Sequence, residues 1–535
     1  MLAGLIRTGL SVALAPVRTR FNRVLERPAR AQESVLARIA TALAHTEYGR
    51  HWGITGGEDY RAFAAHVPIV EYEDLEPWVT RQMETGDTLL TPEPVVAYEE
   101  TSGSSGRRKC IPYTQSLLRA FNSAFVTWAA DVIAHGPRFK TGRMFFSLSP
   151  AVRTPQQTPT RVPIGLQDDT QYLTPVVRRL VGSRLVVQPG MAMALDSAAF
   201  RRVLLCRLIG ATDLELISIW SPTYLLALID LMEAERETIL GALDRGIVEV
   251  AGRQIPVPRL PAKKLVQLDE PVFDWTKVWP ELKLLSVWMD AGSAPFARRL
   301  AARFPGVLMQ GKGLLATEAP ITIPLLGADA PVPLVDRVFL EFQRDDGSIT
   351  LLSDLAEHEE AAVIVSQSGG LTRYRTHDRV LVAGRYRNTP CLRFLGRDNL
   401  IADFVGEKLH AQFVEAAIQG VFGDDVFGFV VPNNRTDRLP RYICFVEQTM
   451  PGEHTMHERA FDARLCQAVH YRQARLHGQL GPVEVIVLPD LRTRYESLML
   501  ESGMTLGAIK YSAVLGQPCV TAIHNDVVAM GVRSS

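Results

Sequence analysis

The sequence predicts an α/β protein: a large N-terminal region built on several sheets, then a small C-terminal α+β domain, joined by a hinge. Three observations predict it. At 535 residues the chain exceeds what one ordinary core holds, so two or more domains are the default. Strand-like and helix-like apolar patterns alternate through 214–320, as expected of sheets layered with helices. After CLRFLGRDNL (391–400) the pattern changes to short strands and helices of a separate, smaller unit.

In chain order, MLAGLIRTGLSVALAPVRTRFNR opens the sequence. Arg7 interrupts its apolar run and Arg18 and Arg20 close it, so it is too short to span a bilayer and reads as an amphipathic helix lying on the protein. Val35, Ile39 and Leu43 share one face of a helix over 33–45. VPIVEYEDLEPWVTRQ (67–82) reads as a short strand and a helix, and 116–136 as a helix with a long apolar face. RMFFSLSP (143–150) and RLVVQPG (184–190) are expected strands, separated by a Thr-, Pro- and Gln-rich loop at 151–173. Residues 214–243 begin as a strand, turn at Ser221-Pro222 and continue as helix. Residues 282–320 run strand, turn, helix, strand, loop.

Two hairpins follow, at 335–354 with Asp-Asp-Gly at its turn and at 361–384. The expected hinge lies around Arg397–Asn399, which divides the chain into 1–396 and 397–535. The second part is expected to hold a helix near 409–420, strands FGFVVP, RYICFVE and EVIVLP, and a helix near 457–477.

Lysine plus arginine equals aspartate plus glutamate, 58 of each, so no global field draws the protein to nucleic acid or an anionic membrane. The cysteines at 110, 206, 391, 444, 466 and 519 form no CxxC pair and read as reduced thiols of a cytoplasmic protein. His454 and His457 in HTMHE are read as lying in a loop before a helix, and not as a metal site.

The segment TSGSSGRRK (101–109) is chemically the most pointed. Gly103 and Gly106 permit positive φ and close backbone approach; Ser102, Ser104 and Ser105 supply hydroxyls; Arg107, Arg108 and Lys109 supply charge. Such a loop suits polyphosphate, although it is neither a Walker A sequence, because Lys109 stands three residues after Gly106, nor a GxGxxG fingerprint. By itself it is equally a surface turn. Downstream come LLATEAP (314–320), RYRTHDRV (373–380) and FLGRDNLIADFVGEKL (394–409). Taken in that order, with HTEYGRHWGI (45–54) and VPIVEYEDLEPWV (67–79), the chain resembles the adenylate-forming enzymes. More closely it resembles their acyl-acid amido synthetases of the auxin-responsive family, known from plants and found in bacteria.

The resemblance implies an ATP-dependent ligase that makes an acyl adenylate with loss of pyrophosphate, then passes the acyl group to an amine, usually of an amino acid. Residues 1–396 would be the adenylating domain and 397–535 a mobile one. The 102–109 loop would hold the β- and γ-phosphates, Thr317 the α-phosphate and Glu318 a Mg²⁺ ion. A helix N-cap is the structural alternative for Thr317-Glu318. Asp378 would accept the ribose hydroxyls and Arg397 would touch ribose or phosphate, with Tyr374 and Arg375 as supports. Lys408 and Lys510 would each reach phosphate in one domain orientation, with solvated helix or loop charges as the structural alternative. Three positions depart from the family pattern: Leu314 replaces an aromatic residue, Ala316 a hydroxyl residue, and His377 a glycine; His377 is expected to point outward.

The acid is expected between 214–232 and 286–300, where Trp220, Tyr224, Trp288 and Met289 are candidate walls of an apolar slot and equally candidate core residues. A thioester-forming coenzyme A ligase and a non-catalytic nucleotide- or acid-binding protein are the alternative readings. No nucleic-acid partner is expected, and no membrane contact beyond the apolar N-terminus.

Overall fold

The computed structural model describes residues 2–101, 109–146, 156–165, 175–187, 197–250, 252–270, 273–397, 401–402, 409–433, 439–447, 454–501, 509 and 511–515. The N-terminal helix spans Leu2–Leu25 and lies along the Gln115–His135 helix, with Phe21 and Leu25 in the core. Pro28 opens the next helix, Pro28–Ala44, where its missing N–H costs nothing. That helix buries Val35, Leu36, Ile39 and Leu43, the expected face. Val70 forms a single parallel bridge with Tyr374, and a capping box between Glu71 and Asp74 starts the Tyr72–Thr85 helix.

Three sheets position the candidate site. In the first, Val95–Thr101 pairs antiparallel with Lys109–Thr114, ending on the pair Thr101–Lys109. In the second, Leu308–Gln310, Leu284–Ser286, Leu216–Ser218 and Met144–Phe146 lie side by side in that order, all parallel. The helices Ser197–Gly210, Pro222–Ala234 and Ala294–Arg303 pack with this sheet into one apolar cluster that holds Leu204, Leu228 and Leu300. The third is a five-stranded antiparallel sheet ordered Ile349–Leu351, Phe339–Gln343, Glu360–Ser366, Tyr374–Tyr386 and Thr389–Arg397. Its core reaches back to the N-terminal helices. Gln32 donates to Val335 O and Val338 O at 2.8 Å each and accepts from Leu340 N at 2.8 Å.

Among the described residues the C-terminal part holds a three-stranded sheet, Gly428–Asn433, Arg441–Val446 and Glu484–Val487, four helices and a short pair of strands, Ile401–Ala402 and Leu409–His410. One set of its apolar side chains, Val414, Ile418, Cys444 and Phe461 among them, forms its own core. Another set, including Phe427, Phe429, Phe445 and Tyr495, joins the core around the parallel sheet.

Several expectations need correction. The helix expected near 457–477 is two, His454–Leu465 and Val469–Leu476, interrupted at Cys466–Ala468. His454 and His457 therefore lie in a helix, not in a loop before one. The helix Leu491–Glu501 was not anticipated. Of RLVVQPG, Leu185 makes one bridge to Met144, and 188–190 fall outside the described residues, as do 147–150 of RMFFSLSP. Short strands Gln156–Gln157 and Pro163–Ile164 occupy part of the expected loop. Cys206, Cys391 and Cys444 are free and buried, and Cys110 and Cys466 are free and partly covered. Among the described residues no helix is long and apolar enough to cross a membrane.

Candidate active site

Thr317 and Glu318 form the tip of a tight turn. Ala316 and Ala319 exchange backbone hydrogen bonds, 3.1 and 3.2 Å, and Leu315 bridges to Pro320. The pair is therefore a hairpin turn and not a helix N-cap. Two distant segments pin its backbone: Tyr113 Oη donates to Thr317 O at 2.6 Å, and Gln367 Nε2 donates to Glu318 O at 3.2 Å. Glu318 is 5% exposed. Leu314, in place of the expected aromatic residue, packs in the core.

Asp378 stands on a bulge. Arg375 pairs with Ile364 and Arg379 with Ala362, so Thr376, His377 and Asp378 all face Val363. His377 has φ +64°, the left-handed region where glycine is at ease, which is the physical reason a glycine is expected there. Its side chain is only 14% exposed, with Nε2 3.7 Å from Glu71 Oε2, so it does not point outward as expected. Thr376 Oγ1 donates to Val363 O at 3.0 Å and accepts from Asp378 N at 3.1 Å, which braces the bulge. Arg397 lies directly across, its Nε 3.2 Å from Asp378 Oδ1 and its Nη2 donating to Thr376 O at 2.8 Å. Arg397 thus ends a strand of the five-stranded sheet.

Tyr374 ties these groups together. Burial is the main force pushing its phenol up; Glu318 pushes the same way, Arg397 opposes, and Glu73 and Asp378 push up again. The turn carboxylate, the bulge carboxylate and the arginine therefore act on one buried hydroxyl. The bridge of Val70 to Tyr374 brings the start of the Tyr72–Thr85 helix alongside. The Lys109 ammonium lies 5.5 Å from the Tyr72 ring centre, and Cys110 N donates to Tyr72 Oη at 2.8 Å. Arg375 is a support, donating to Gln343 Oε1 at 2.6 Å. Lys109, Thr317, Glu318, Asp378 and Arg397 are so linked through Tyr72, Tyr113 and Tyr374. Ser102, Gly103, Ser104, Ser105, Gly106, Lys408 and Lys510 lie outside the described residues.

A second group gathers where the parallel strands end. Strand carboxyl ends are the usual ligand crevice of such sheets. Just beyond them Trp220 and Trp288 are partly buried, with ring centres 5.7 Å apart, and Trp288 N donates to Trp220 O at 2.8 Å. Met289 is half-buried against the same core. Tyr224, 3% exposed, is a core residue of the Pro222–Ala234 helix, which is the structural reading of that position. Lys312, which drew no attention in the sequence because Gly-Lys-Gly has no distinctive pattern, donates from Nζ to Ser218 Oγ and lies 5.4 Å from the Trp220 ring centre. Tyr113 and Gln367 were missed for the same reason: their roles are long-range hydrogen bonds with no local signature.

A magnesium ion in this kind of site takes one or two protein carboxylates and completes its shell with phosphates and water. The covered Glu318 carboxylate, one residue after Thr317 in the turn, fits that requirement. Among the described residues no set of three or more His, Cys, Asp or Glu side chains is placed to hold a metal without such help.

The backbone matches that of AtGH3.15 acyl acid amido synthetase, solved in complex with 2,4-DB, with a TM-score of 0.83, 17% identity and 96% of each chain covered. It matches 2-hydroxyisobutyryl-CoA ligase in the postadenylation state with a TM-score of 0.56, 14% identity, and 94% and 91% of the two chains covered. Fold and relatives together define the class, an acid–amine ligase. The GH3 family N-terminal domain matches residues 17–309 and the GH3 family central domain residues 333–397. The chain belongs to the GH3 family. Among its relatives, indole-3-acetic acid-amido synthetase GH3.8 of Oryza sativa subsp. indica is 24% identical, over 93% of this chain and 90% of that protein. Indole-3-acetic acid-amido synthetase GH3.3 of Arabidopsis thaliana is 21% identical, over 88% and 86%.

Proposed function

We propose that this chain joins a small carboxylic acid to an amino acid through an acyl adenylate. The observation that carries the reading is the turn of Thr317 and Glu318 pinned by Tyr113, from the strand that Lys109 opens, with the Asp378–Arg397 pair on the sheet that supplies Tyr374. A carboxylate is a poor acyl donor because oxide is a poor leaving group. In the first step a carboxylate oxygen bonds to the α-phosphorus of ATP. The bond from that phosphorus to the bridging oxygen breaks, and its electron pair leaves with pyrophosphate. In the second, the amine attacks the acyl carbon, AMP departs with the C–O pair, and the amine loses a proton.

Both partners of the first step are anionic, so the site must offset their repulsion. Lys109 and the loop residues Ser102, Gly103, Ser104, Ser105 and Gly106 take the outer phosphates, and the Thr317 hydroxyl donates to the α-phosphate. Glu318 would hold a Mg²⁺ ion, which would supply neutralisation of phosphate charge. Asp378 accepts from the ribose hydroxyls. A carboxylate has about four acceptor positions, so Arg397 can hold it in place while ribose binds. The part from 397 onward would rotate between the two steps, and Lys408 and Lys510 would each reach phosphate in one orientation.

The test is acid-dependent exchange of pyrophosphate into ATP over a panel of acids, crossed with a panel of amino acids and read by product mass. An amide and AMP are expected. ADP as product would overturn the adenylate route. A thioester formed only when coenzyme A is supplied would replace the amine by a thiol.

A further inference from the structure

Lys312 has no part in the roles above, yet it stands where the acid must enter. It follows Gln310, the last residue of one strand of the parallel sheet, and its ammonium bonds Ser218 Oγ, the last residue of another. The face of Trp220 lies 5.4 Å from that ammonium, and the Trp288 ring is 5.7 Å from Trp220. Five residues further along the chain, after Gly313 at φ +72°, come Thr317 and Glu318. A half-buried cation is thereby held between an indole pair and the segment that leads into the activation turn.

Resting on the reading above, we propose that Lys312 is the specificity-determining residue for the acid: its ammonium receives the ionised carboxylate while the Trp220–Trp288 pair takes the apolar body. Two bound anions, the acid and the α-phosphate, would otherwise repel one another. A lysine is a compact cation on a flexible stem, so it can leave Ser218 for the substrate and return. Cation–π contact with Trp220 keeps the ammonium in the slot at partial burial. Once the acid becomes the acyl half of a mixed anhydride, its own carboxylate charge is gone and the remaining charge lies on the phosphate, so the hold of Lys312 acts on the free acid. The occupant is a monocarboxylic acid with a flat or bulky apolar group; a neutral amide of equal shape gains nothing from this residue.

The test uses the full chain and a panel of indole-3-acetate, phenylacetate, benzoate and cyclohexanecarboxylate in pyrophosphate exchange, with the primary amides of the same acids as competitive inhibitors. In Lys312→Met and Lys312→Gln the KM for the best acid should rise about 10-fold or more, the size of a charge-assisted hydrogen bond. The KM for ATP and the Ki of the amide should change less than about 2-fold, and Lys312→Arg should recover part of the loss. An unchanged acid KM in variants that melt like the wild type would overturn the inference, as would equal weakening of acid and amide. Wild-type protein that exchanges with none of the acids would overturn the proposed function and this inference with it.

Discussion

Glu318 and Asp378 reach one neighbourhood by different local devices, a two-residue turn tip and a strand bulge. Glu318→Ala and Asp378→Ala should each lower pyrophosphate exchange by about 100-fold or more while leaving the thermal transition in place, because each removes a charged contact to nucleotide or metal. Wild-type exchange in both would show that the roles are misassigned. His377 makes a separate case. At φ +64° a β-branched side chain is strained, so His377→Val should cost about 1–2 kcal/mol in urea unfolding, whereas His377→Gly should not. Equal losses in the two variants would mean that the contact with Glu71, not backbone conformation, decides the position. The family's motif order marked Thr317, Glu318, Asp378 and Arg397 as candidates in the sequence, because each sits in a short contiguous string that a resemblance can match. Lys312, Tyr113 and Gln367 were not legible. Their partners lie 94, 204 and 49 residues away, and nothing beside them in sequence announces a partner at that range.

Elements were legible where one face is buried and the other wet, as in Pro28–Ala44 and the hairpin with Asp-Asp-Gly at its tip. They were less so in the C-terminal part, where the break at Cys466–Ala468 carries neither glycine nor proline. One joint between elements has a clear pH signature. Glu215, at the head of the Leu216–Ser218 strand, is fully buried. Burial alone would raise its carboxyl. The Lys283 ammonium and the backbone N–H groups of Lys140, Gly142 and Thr141 outweigh burial and hold it below the usual carboxylate value. A depressed folded pKa contributes stability above the unfolded value of about 4.5, and that stability is lost as pH falls through the folded value. Wild-type protein should therefore lose more unfolding free energy between pH 7 and pH 3 than Glu215→Gln does, the gap opening below about pH 4.5 at no more than about 1.4 kcal/mol per pH unit in urea titrations. Parallel pH profiles would remove Glu215 from the account.

At the scale of the molecule, the C-terminal sheet docks on the large one through aromatic rings. Phe296 of the Ala294–Arg303 helix lies 4.9 Å from Tyr511, and Phe427 lies 5.3 Å from Tyr511, measured between ring centres. The Arg492 guanidinium sits over Phe296 at 4.9 Å and Phe427 at 5.8 Å, and Glu447 Oε2 accepts from it at 2.7 Å. Contacts of this kind contribute about 0.5–2 kcal/mol, enough to bias the proposed rotation without preventing it. Arg492→Ala should broaden the distance distribution between fluorophores placed on the two parts and shift the ratio of adenylation to amide transfer by about 3- to 10-fold. An unaltered distribution and ratio would show that docking does not depend on Arg492.

Gln32 bonds Val335, Val338 and Leu340, and Leu25 O accepts from Thr389 Oγ1 at 2.8 Å. The opening helices therefore find their partners some three hundred residues downstream. During synthesis they leave the ribosome long before those partners exist, and the part of their apolar surface that meets the antiparallel sheet stays uncovered until that sheet emerges. Such distant closure makes for slow folding, and translation pauses before residue 340 would prolong the interval in which the nascent chain can be captured by a chaperone or lost to aggregation.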